Sequence, residues 1–276
     1  MKILIVYNNE NCALSIAQDV YKLFKENNVD SELLEFSEIM NPNLVDDSSF
    51  SSYDFFIIIG GDGTIIKAAK LAAIHDIPVI GINAGHLGYL ASVNPDNLDS
   101  LLRLISGDYS IENRIIIKAE KIVDGICTDS CEGLNDIVIC KNALSNLINV
   151  SITIGCDNIM YRADGIIAAT PTGSTAYSMS AGGPVIDPTL DCIVITPVCP
   201  HTLLNRSLVI DAKSHIMLNV SSKNSCDIMV ACDGRPAFEL DENNTIKISI
   251  SDLKAKFIKF NNSSVYKVFY EKTNLF

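Results

Sequence analysis

Two spacings of apolar residues alternate along the first hundred or so positions of the chain. Short apolar runs at the strand period are followed by stretches in which apolar residues recur every three or four positions, as on one face of a helix. The predicted strands are residues 1–7, 31–36, 55–59 and 78–82, and the predicted helices are residues 14–26, 65–74 and 98–104. Residues 40–52 are polar and irregular, which is typical of a loop or a short helix. Strands that alternate with helices predict a parallel α/β sheet.

The pattern changes after residue 108, where short β-rich runs follow one another with polar turns between them. These runs are residues 111–121, 133–141, 145–156, 158–161, 165–169, 192–197, 208–211, 215–220, 227–231 and 245–250. They leave room for a helix only around residues 174–181. The pattern therefore predicts a second, β-rich domain. The stretch 255–270 alternates weakly, and its Phe and Tyr side chains need a core to cover them.

Composition narrows the class of protein. A chain of 276 residues, 48% of them hydrophobic, is long enough for one large or two ordinary domains. No apolar run reaches the roughly 20 residues of a membrane helix, and the N-terminus resembles a first strand rather than a secretory signal. We therefore expect no membrane partner. Nine cysteines are scattered without a CxxC pair, so we expect a reduced, cytoplasmic protein with no zinc site. The net charge of −12 argues against nucleic acid as a partner and requires local cations or a metal near any polyanionic substrate.

A glycine turn interrupts the apolar run that ends at Ile59. The sequence Gly60-Gly61-Asp62-Gly63-Thr64 follows this strand and precedes a helix, an arrangement in which backbone N–H groups face a phosphate. Asp62 does not fit a simple phosphate site, because its carboxylate would repel phosphates. It therefore needs either a metal ion to bind or a proton to accept. The motif is neither a P-loop nor a full dinucleotide fingerprint, since Ile66 replaces the third glycine. A simple tight turn with a capping Asp or Thr is an equally good interpretation of these residues alone.

A second stretch rich in glycine and hydroxyl side chains covers residues 162–184. Small residues follow a strand there and continue into a short helix, with Tyr177 placed where its ring could stack on a base. An ordinary loop that leads into a helix would also use Ser and Thr as caps. About 20 residues of small side chains nevertheless indicate close packing against a ligand or another chain.

Together these motifs resemble those of the bacterial NAD kinase family, in family order and over almost the whole chain. The matching pieces are residues 60–64, the NxGxLGxL pattern of residues 83–90, Asn135-Asp136, residues 164–184, residues 196–203 and Asp233-Gly234. The GGDGT motif alone is shared with diacylglycerol and sphingosine kinases and, loosely, with phosphofructokinases. The TPTGSTAYSxSAGGP block of residues 170–184 is far more specific.

The resemblance implies an enzyme that transfers the terminal phosphoryl group of ATP to the 2′-hydroxyl of the adenosine ribose of NAD, with Mg²⁺ carried by the ATP and no protein ligand to the metal. It also implies an α/β domain with a parallel sheet and flanking helices, followed by a β-rich, sandwich-like domain. The expected boundaries are residues 1–111 with 251–276 for the first domain and 112–250 for the second. The family forms homo-oligomers, dimers or tetramers.

By the same resemblance, Asp62 is the catalytic carboxylate and Gly63 its neighbouring contact. Asn135 and Asp136 correspond to the pair that holds the adenosine-ribose hydroxyls. The other matched positions are Arg162 and Asp164 near the nicotinamide end, Thr175, Ala176, Tyr177, Ser178 and Ser180 around the adenine and nicotinamide, and Cys199 beside a neighbouring subunit. At three further candidate contacts the sequence varies or departs from the family pattern: Lys67, which could reach a phosphate, Asn146, where Arg or His is frequent, and Arg235, where Gln is usual.

Two histidines and two other functions complete the set of expectations. We expect His86 to be a loop residue and His201 a structural hydrogen-bonding residue rather than a base. A lipid kinase that uses the GGDGT motif would need an exposed apolar patch. A dinucleotide sensor that has lost catalysis would not need a carboxylate facing phosphates, so Asp62 argues against it.

Overall fold

The computed structural model describes residues 1–10, 12–41, 47–85, 88–142, 146–201, 205–221, 228–241, 244–260 and 269–270. The chain forms two compact units. The first unit comprises Met1–Arg114 and Leu253–Phe276, and the second comprises Ile115–Asp252.

The first unit is built on a parallel sheet with the strand order β2-β1-β3-β4. Its strands are β1 (Lys2–Tyr7), β2 (Asp30–Glu35), β3 (Phe55–Gly60) and β4 (Val79–Asn83). Every residue of β3 is buried, as the unbroken apolar run predicts for a central strand covered on both faces. Phe257 then pairs in parallel with Val79 and adds the end of a later strand to this sheet.

The helices of the first unit are α1 (Ala13–Glu26), α2 (Phe36–Ile39), α3 (Asp62–Ile74) and α4 (Arg103–Ser106). In α1 the buried residues recur at helical spacing and pack on the sheet, which explains why this helix was predictable. Helix α3 begins at Asp62 rather than at the predicted residue 65, because extended Gly61 caps it and Asp62 already has helical geometry. A 3₁₀ helix, Pro95–Leu102, precedes α4 where one α-helix was predicted; Pro95 starts it, and Asn94 caps it by accepting from the N–H of Asp96. Helix α2 was not predicted, and it directly follows β2. The segment 40–52, predicted as a loop or short helix, contains a 3₁₀ turn, Asp47–Ser52.

The second unit is β-rich. Its remaining strands are β5 (Ser110–Val123, which starts in the first unit), β6 (Ile126–Gly133), β7 (Asp136–Lys141), β8 (Ile148–Ile154), β9 (Asp157–Ala163), β10 (Gly165–Ala169), β11 (Cys192–Val198), β12 (Leu208–Asp211), β13 (Ile216–Ser221), β14 (Ile228–Cys232), β15 (Arg235–Leu240) and β16 (Thr245–Lys259, which ends in the first unit). A 3₁₀ turn, Gly173–Thr175, and α5 (Tyr177–Ser180) lie where the sequence left room for a helix.

Two antiparallel layers of strands form this unit. One is a six-stranded sheet of order β12-β11-β10-β7-β14-β15, and the other contains the start of β16 followed by β13, β8 and β9. Side chains from both layers share one hydrophobic core that includes Ile137, Ile139, Val150 and Leu218. The predicted fold class, an α/β domain followed by a β-rich sandwich-like domain, is confirmed.

Strands β6 and β15 were not predicted. The first five residues of β6 are exposed, so this strand lacks the alternation of a half-buried strand and pairs with β5 only as a hairpin. Strand β15 contains Pro236 and is mostly exposed, and it lies at the edge of its sheet, where a proline is tolerated.

Burial of β3 generates a prediction on stability. Ile57 is completely buried in the first unit, so Ile57→Ala should reduce the free energy of unfolding by about 2–5 kcal/mol. Urea denaturation followed by far-UV circular dichroism measures this loss in a chain that has no Trp. Ile74→Ala, at a position 56% exposed in the same unit, is the matched control. Equal effects of the two substitutions would contradict the packing described for β3.

Candidate active site

Asp62 is the first residue of α3, directly after the buried strand β3 and Gly61. Its carboxylate accepts hydrogen bonds from the backbone N–H groups of Tyr89 (3.0 Å) and Leu90 (3.3 Å). A Cβ atom on Gly88 would lie 2.2 Å from Asp62 Oδ1, so only glycine lets this loop come close enough to make the two bonds. Two of about four acceptor positions of the carboxylate are thereby used, and the others remain for a ligand.

Other polar groups of the first unit follow the carboxyl ends of the parallel strands, the edge where ligands bind in such sheets. Asn8 comes after β1 and donates from its amide to Thr64 Oγ1 (3.3 Å), in the first turn of α3. Asn83 ends β4 and accepts from the N–H of Gly85 (3.1 Å). Gly63 is exposed and Lys67, one turn further along α3, is half-buried. His86 lies outside the described residues.

A cleft of about 470 Å³ lies on the six-stranded sheet of the second unit. Its lining residues are Asn135, Asp136, Val138, Cys140, Ala176, Tyr177, Ala231, Asp233 and Gly234. Because side chains alternate along a strand, Asp136, Val138 and Cys140 share the face of β7 opposite to the sandwich core. The volume is typical of small-molecule sites, which span about 300–1,000 Å³.

Asp233 connects three neighbouring backbone groups at one end of this cleft. Its carboxylate accepts from the N–H groups of Leu134 (3.0 Å), Asn135 (2.8 Å) and Asp136 (3.2 Å). The N–H of Asp233 donates in turn to the carbonyl oxygen of Asp136 at 3.1 Å. Asp233 and Gly234 have φ of +46° and +75° and form the two-residue turn between β14 and β15, for which Asp-Gly is a favoured pair.

The segment of residues 134–136 also makes close contacts with Thr170 and Gly173, through its carbonyl groups. The Thr170 hydroxyl donates to the carbonyl of Leu134 (2.6 Å), and the Thr170 N–H donates to the carbonyl of Asn135 (2.8 Å). A Cβ atom on Gly173 would lie 2.0 Å from the Asn135 carbonyl oxygen, so glycine is required there. The peptide groups that present Asn135 and Asp136 are therefore fixed on both sides.

The side chain of Asp136 is exceptional because it is acidic, only 4% exposed, and lines the cleft. Burial, and to a lesser extent the nearby charge of Asp233, raises the pKa of the Asp136 carboxyl from its ordinary value of 3.8 to about 7. Within the described part of the chain, no group donates a hydrogen bond to this carboxyl. A hydroxyl-bearing ligand could supply that missing donor.

Tyr177 forms one wall of the cleft together with Ala176. The Tyr177 side chain is 47% exposed, so its ring is accessible to a planar ligand. Burial, with smaller contributions from nearby thiol and carboxyl groups, raises the pKa of its hydroxyl, which keeps the phenol neutral. The position therefore fits the stacking role that the sequence suggested.

Many of the small hydroxyl residues around Tyr177 stabilise the loop itself. The buried Ser174 hydroxyl donates to the Pro171 carbonyl (2.7 Å) and accepts from the N–H of Ile186 (3.0 Å). Ser178 is also buried, and its hydroxyl is 3.0 Å from that of Thr196. Internal packing thus accounts for part of a stretch for which we expected contact with a ligand or another chain.

Four of the residues expected to form the site line this cleft: Asn135, Asp136, Ala176 and Tyr177. The others have different surroundings. Asp164 forms an ion pair with Lys141 (2.9 Å). The hydroxyl of Thr175 donates a hydrogen bond to the Thr172 carbonyl (3.3 Å), and that of Ser178 is hydrogen-bonded to Thr196. The remaining candidates are exposed: Asn146, Arg162, Ser180, Cys199 and Arg235. His201 is exposed and donates its backbone N–H to the Arg162 carbonyl (2.7 Å).

Val138, Cys140, Ala231 and Asp233 were not among the expected site residues. Gly234, which also lines the cleft, was not among them either. Val138 and Cys140 follow Asp136 at the strand period, and Asp233 and Gly234 form an Asp-Gly hairpin signal, so these four had a local signature, whereas Ala231 had none. Among the described residues, no group of three or more His, Cys, Asp or Glu side chains could hold a metal ion. No helix in the described ranges is long and apolar enough to cross a membrane.

Two family models match the chain over consecutive segments. The model described as the ATP-NAD kinase N-terminal domain matches residues 3–109, and the model described as the ATP-NAD kinase C-terminal domain matches residues 134–260. The first match contains Asp62, and the second contains the residues that line the cleft.

Similar proteins agree with these matches. An NAD kinase of Caldanaerobacter subterraneus subsp. tengcongensis is 39% identical over 81% of this chain and 79% of its own length. An NAD kinase of Natranaerobius thermophilus is 35% identical over 93% of this chain and 92% of its own length. A yeast NADH kinase solved with NADH has a TM-score of 0.85 at 22% identity, covering 99% of this chain and 88% of its own. An Archaeoglobus fulgidus NAD kinase solved with ATP has a TM-score of 0.75 at 23% identity and covers 99% of both chains. The two structures share the fold.

The buried carboxyl of Asp136 generates a prediction on pH and stability. Because its pKa is raised from 3.8 to about 7, the folded state binds more protons than the unfolded state between these values, and the protein loses stability as the pH rises through that range. Asp136→Asn removes this loss. The free energy of unfolding of the variant, measured relative to that of the wild type, should therefore rise by about 2 kcal/mol from pH 5 to pH 8, at about 1.4 kcal/mol per pKa unit.

Denaturation of both proteins at pH 5, 6.5 and 8 measures the gain. Asp157→Asn replaces an exposed carboxylate of the same unit and controls for the loss of one acidic side chain. A difference between Asp136→Asn and the wild type that stays constant over the pH range would show that Asp136 is not a buried titrating group.

Proposed function

This chain belongs to the ATP-NAD kinase family, and we propose that it transfers the terminal phosphoryl group of ATP to the 2′-hydroxyl of the adenosine ribose of NAD, giving NADP and ADP. One observation carries the proposal. A chain matched by both family domains keeps an anchored carboxylate at Asp62 in the first unit and a built cleft at Asn135 and Asp136 in the second.

The cleft of the second unit supports binding of the adenosine part of NAD. An amide that can donate and accept, next to a carboxyl group, suits a pair of neighbouring ribose hydroxyls, and Asn135 and Asp136 supply both. No described residue donates a hydrogen bond to the Asp136 carboxyl, which lines the cleft, so a ribose hydroxyl in the cleft could donate to it. Tyr177 offers an accessible ring for a base.

Asp62 supports the proton step of the reaction. The ribose 2′-oxygen forms a bond to the γ-phosphorus of ATP while the bond from that phosphorus to the β,γ-bridging oxygen breaks, and ADP leaves with the electron pair. The proton of the hydroxyl passes to Asp62, whose carboxylate is oriented by the N–H groups of Tyr89 and Leu90. Gly63 and Lys67 are further proposed contacts to phosphate at the start of α3.

We propose that Mg²⁺ enters bound to ATP. Among the described residues, no set of three metal-binding side chains exists, so phosphate oxygens and water would supply most of its ligands. The ion supplies charge neutralisation for the phosphates, which a chain of net charge −12 needs.

The remaining candidate residues are proposed to contact the rest of the dinucleotide. Arg162 and Asp164 are assigned to the nicotinamide end, and Thr175, Ser178 and Ser180 to the loop around the bases. The bond from Ser178 to Thr196 favours a supporting role for this residue. Asn146 and Arg235 are exposed, so each is accessible to a phosphate of a bound substrate.

Neither other function that the sequence left open is favoured. A lipid kinase would share only the GGDGT motif, whereas the models of both ATP-NAD kinase domains match this chain. A sensor without catalysis would not need the carboxylate that Asp62 supplies. Incubation of the purified chain with Mg-ATP and either NAD or diacylglycerol in micelles separates the three. We expect NADP alone, detected with an NADP-specific dehydrogenase. Phosphatidic acid would favour the lipid kinase, and NAD binding without any product would favour the sensor.

We further propose that the protein acts in the cytoplasm as a homo-oligomer. None of the eight described cysteines forms a disulfide bond, which suits a reducing compartment. Cys199 is exposed and has a φ of +46°, directly after β11. A neighbouring subunit could cover this position beside the bound dinucleotide.

Substitution of Asp62 should affect turnover. Asp62→Asn keeps the shape of the side chain and removes its capacity as a base, so kcat should fall about 10²- to 10⁴-fold while NAD still binds. Asp136→Ala should mainly weaken NAD binding, because it removes the proposed ribose acceptor. Coupled assays of NADP formation and calorimetry with NAD measure the two effects.

Asp19→Asn, an exposed change on α1 of the same unit, is the control for Asp62→Asn. Near-normal turnover of Asp62→Asn would refute the catalytic assignment. Unchanged NAD affinity of Asp136→Ala would refute the assignment of the cleft.

Substitution of Cys199 tests the proposed assembly. Cys199→Glu would place an unpartnered charge in a buried interface, so it should weaken both assembly and NAD binding. Light scattering measures particle mass, with Cys156→Glu, another exposed thiol of the second unit, as the matched control. Intact oligomers of Cys199→Glu with normal NAD affinity would exclude this interface.

A further inference from the structure

We infer that Asp233 is the positioning residue for the ribose-binding pair Asn135 and Asp136. This role rests on the proposed function, because the proposed function makes NAD the ligand of the cleft. Asp233 would act without touching the reacting atoms: its carboxylate holds the backbone that directs the Asn135 and Asp136 side chains, and it places a negative charge near Asp136.

The geometry of the three hydrogen bonds carries the positional part of this role. Asp233 Oδ1 accepts from Asn135 and Asp136, and Oδ2 accepts from Leu134. Three successive N–H groups can converge on one carboxylate only if the backbone between β6 and β7 curves around it. Gly133 permits the curve, because a Cβ there would lie 2.8 Å from the Asp136 carbonyl oxygen and 3.0 Å from Asp233 Oδ1.

A carboxylate is the side chain that fits this position. Three N–H donors require an acceptor with two oxygens and full negative charge, which gives shorter and stronger bonds than a neutral amide. An Asn side chain would satisfy the donors at one oxygen and present an NH₂ group to the third N–H. The left-handed φ of +46° also favours Asp or Asn over most other residues.

The charge of Asp233 acts on Asp136 as well. The groups that face Asp136 in the described part of the chain are Asp233 from the β14–β15 turn, Tyr177 from α5 and Cys140 from the same strand. Of these, Asp233 contributes to the raised pKa of Asp136, after burial itself. Asp233 therefore favours an Asp136 carboxyl that can be neutral near neutral pH. In that form it still accepts from one ribose hydroxyl at its carbonyl oxygen and can also donate to another.

The test is Asp233→Asn in the full chain, with Asp211→Asn as the matched control. Asp211 also accepts a backbone N–H, that of Lys213 (2.7 Å), at an exposed turn of the same unit. We expect KM for NAD to rise at least about tenfold in Asp233→Asn, with kcat at saturating NAD changed less than about threefold. A variant that only unfolded in part would instead lower kcat and leave KM unchanged.

A carboxyl titration by ¹³C NMR on aspartate-labelled protein without NAD gives the second readout. The Asp136 signal is identified by its absence in Asp136→Asn, and it should titrate at a lower pH in Asp233→Asn than in the wild type. An unchanged titration of Asp136, or an unchanged KM for NAD, would overturn the inference.

The two proposals fail in different ways. If the wild type forms no NADP, the proposed kinase function fails, while the titration still tests the effect of Asp233 on Asp136. If Asp233→Asn does not fold, amide hydrogen exchange in the wild type decides. The N–H groups of Leu134, Asn135 and Asp136 should exchange as slowly as those within β7, and rapid exchange would overturn the inference.

Discussion

The carboxylate of Asp233 accepts three consecutive backbone N–H groups, and the cleft of the second unit depends on that contact. The contact satisfies the half-buried carboxylate of Asp233 with backbone N–H groups, while the buried carboxyl of Asp136 receives no hydrogen bond from the described residues. The negative charge of Asp233 disfavours a second charge on the buried Asp136. The fold therefore holds one carboxylate fully satisfied and keeps the other ready for a ligand, which is how a preorganised binding site is built.

A carboxylate held by backbone N–H groups also occurs in the first unit, with two donors instead of three. Asp62 starts a helix after a fully buried strand, and two backbone N–H groups hold its carboxylate. In both units a glycine makes the approach possible: Gly88 next to Asp62, and Gly173 against the Asn135 carbonyl. The glycines of these motifs thus allow carboxylate and peptide groups to be positioned, as well as allowing phosphate to approach the backbone. This explains why Asp62 can lie in a glycine-rich turn of the kind that binds phosphate.

Regular periodicity made much of the fold predictable. Strand β10 has the predicted bounds because five apolar or small residues are all buried, and β12 lies between clear turns. Strands β6 and β15 were missed because their exposed residues carry no alternation. In the site, the motifs singled out Asn135, Asp136, Ala176 and Tyr177, which the structure places around one cleft. Asp233 was not recognised as a site residue, since its role depends on N–H groups about 100 positions away in sequence.

The central claim is that phosphate is transferred to one particular hydroxyl of NAD. The most direct measurement incubates the full chain with Mg²⁺, ATP and NAD and identifies the products by ³¹P NMR. Transfer to the 2′-hydroxyl predicts one new phosphomonoester, on the 2′-carbon of the adenosine ribose, for each ADP formed. Phosphate on another hydroxyl, or inorganic phosphate released while NAD stays unchanged, would contradict it.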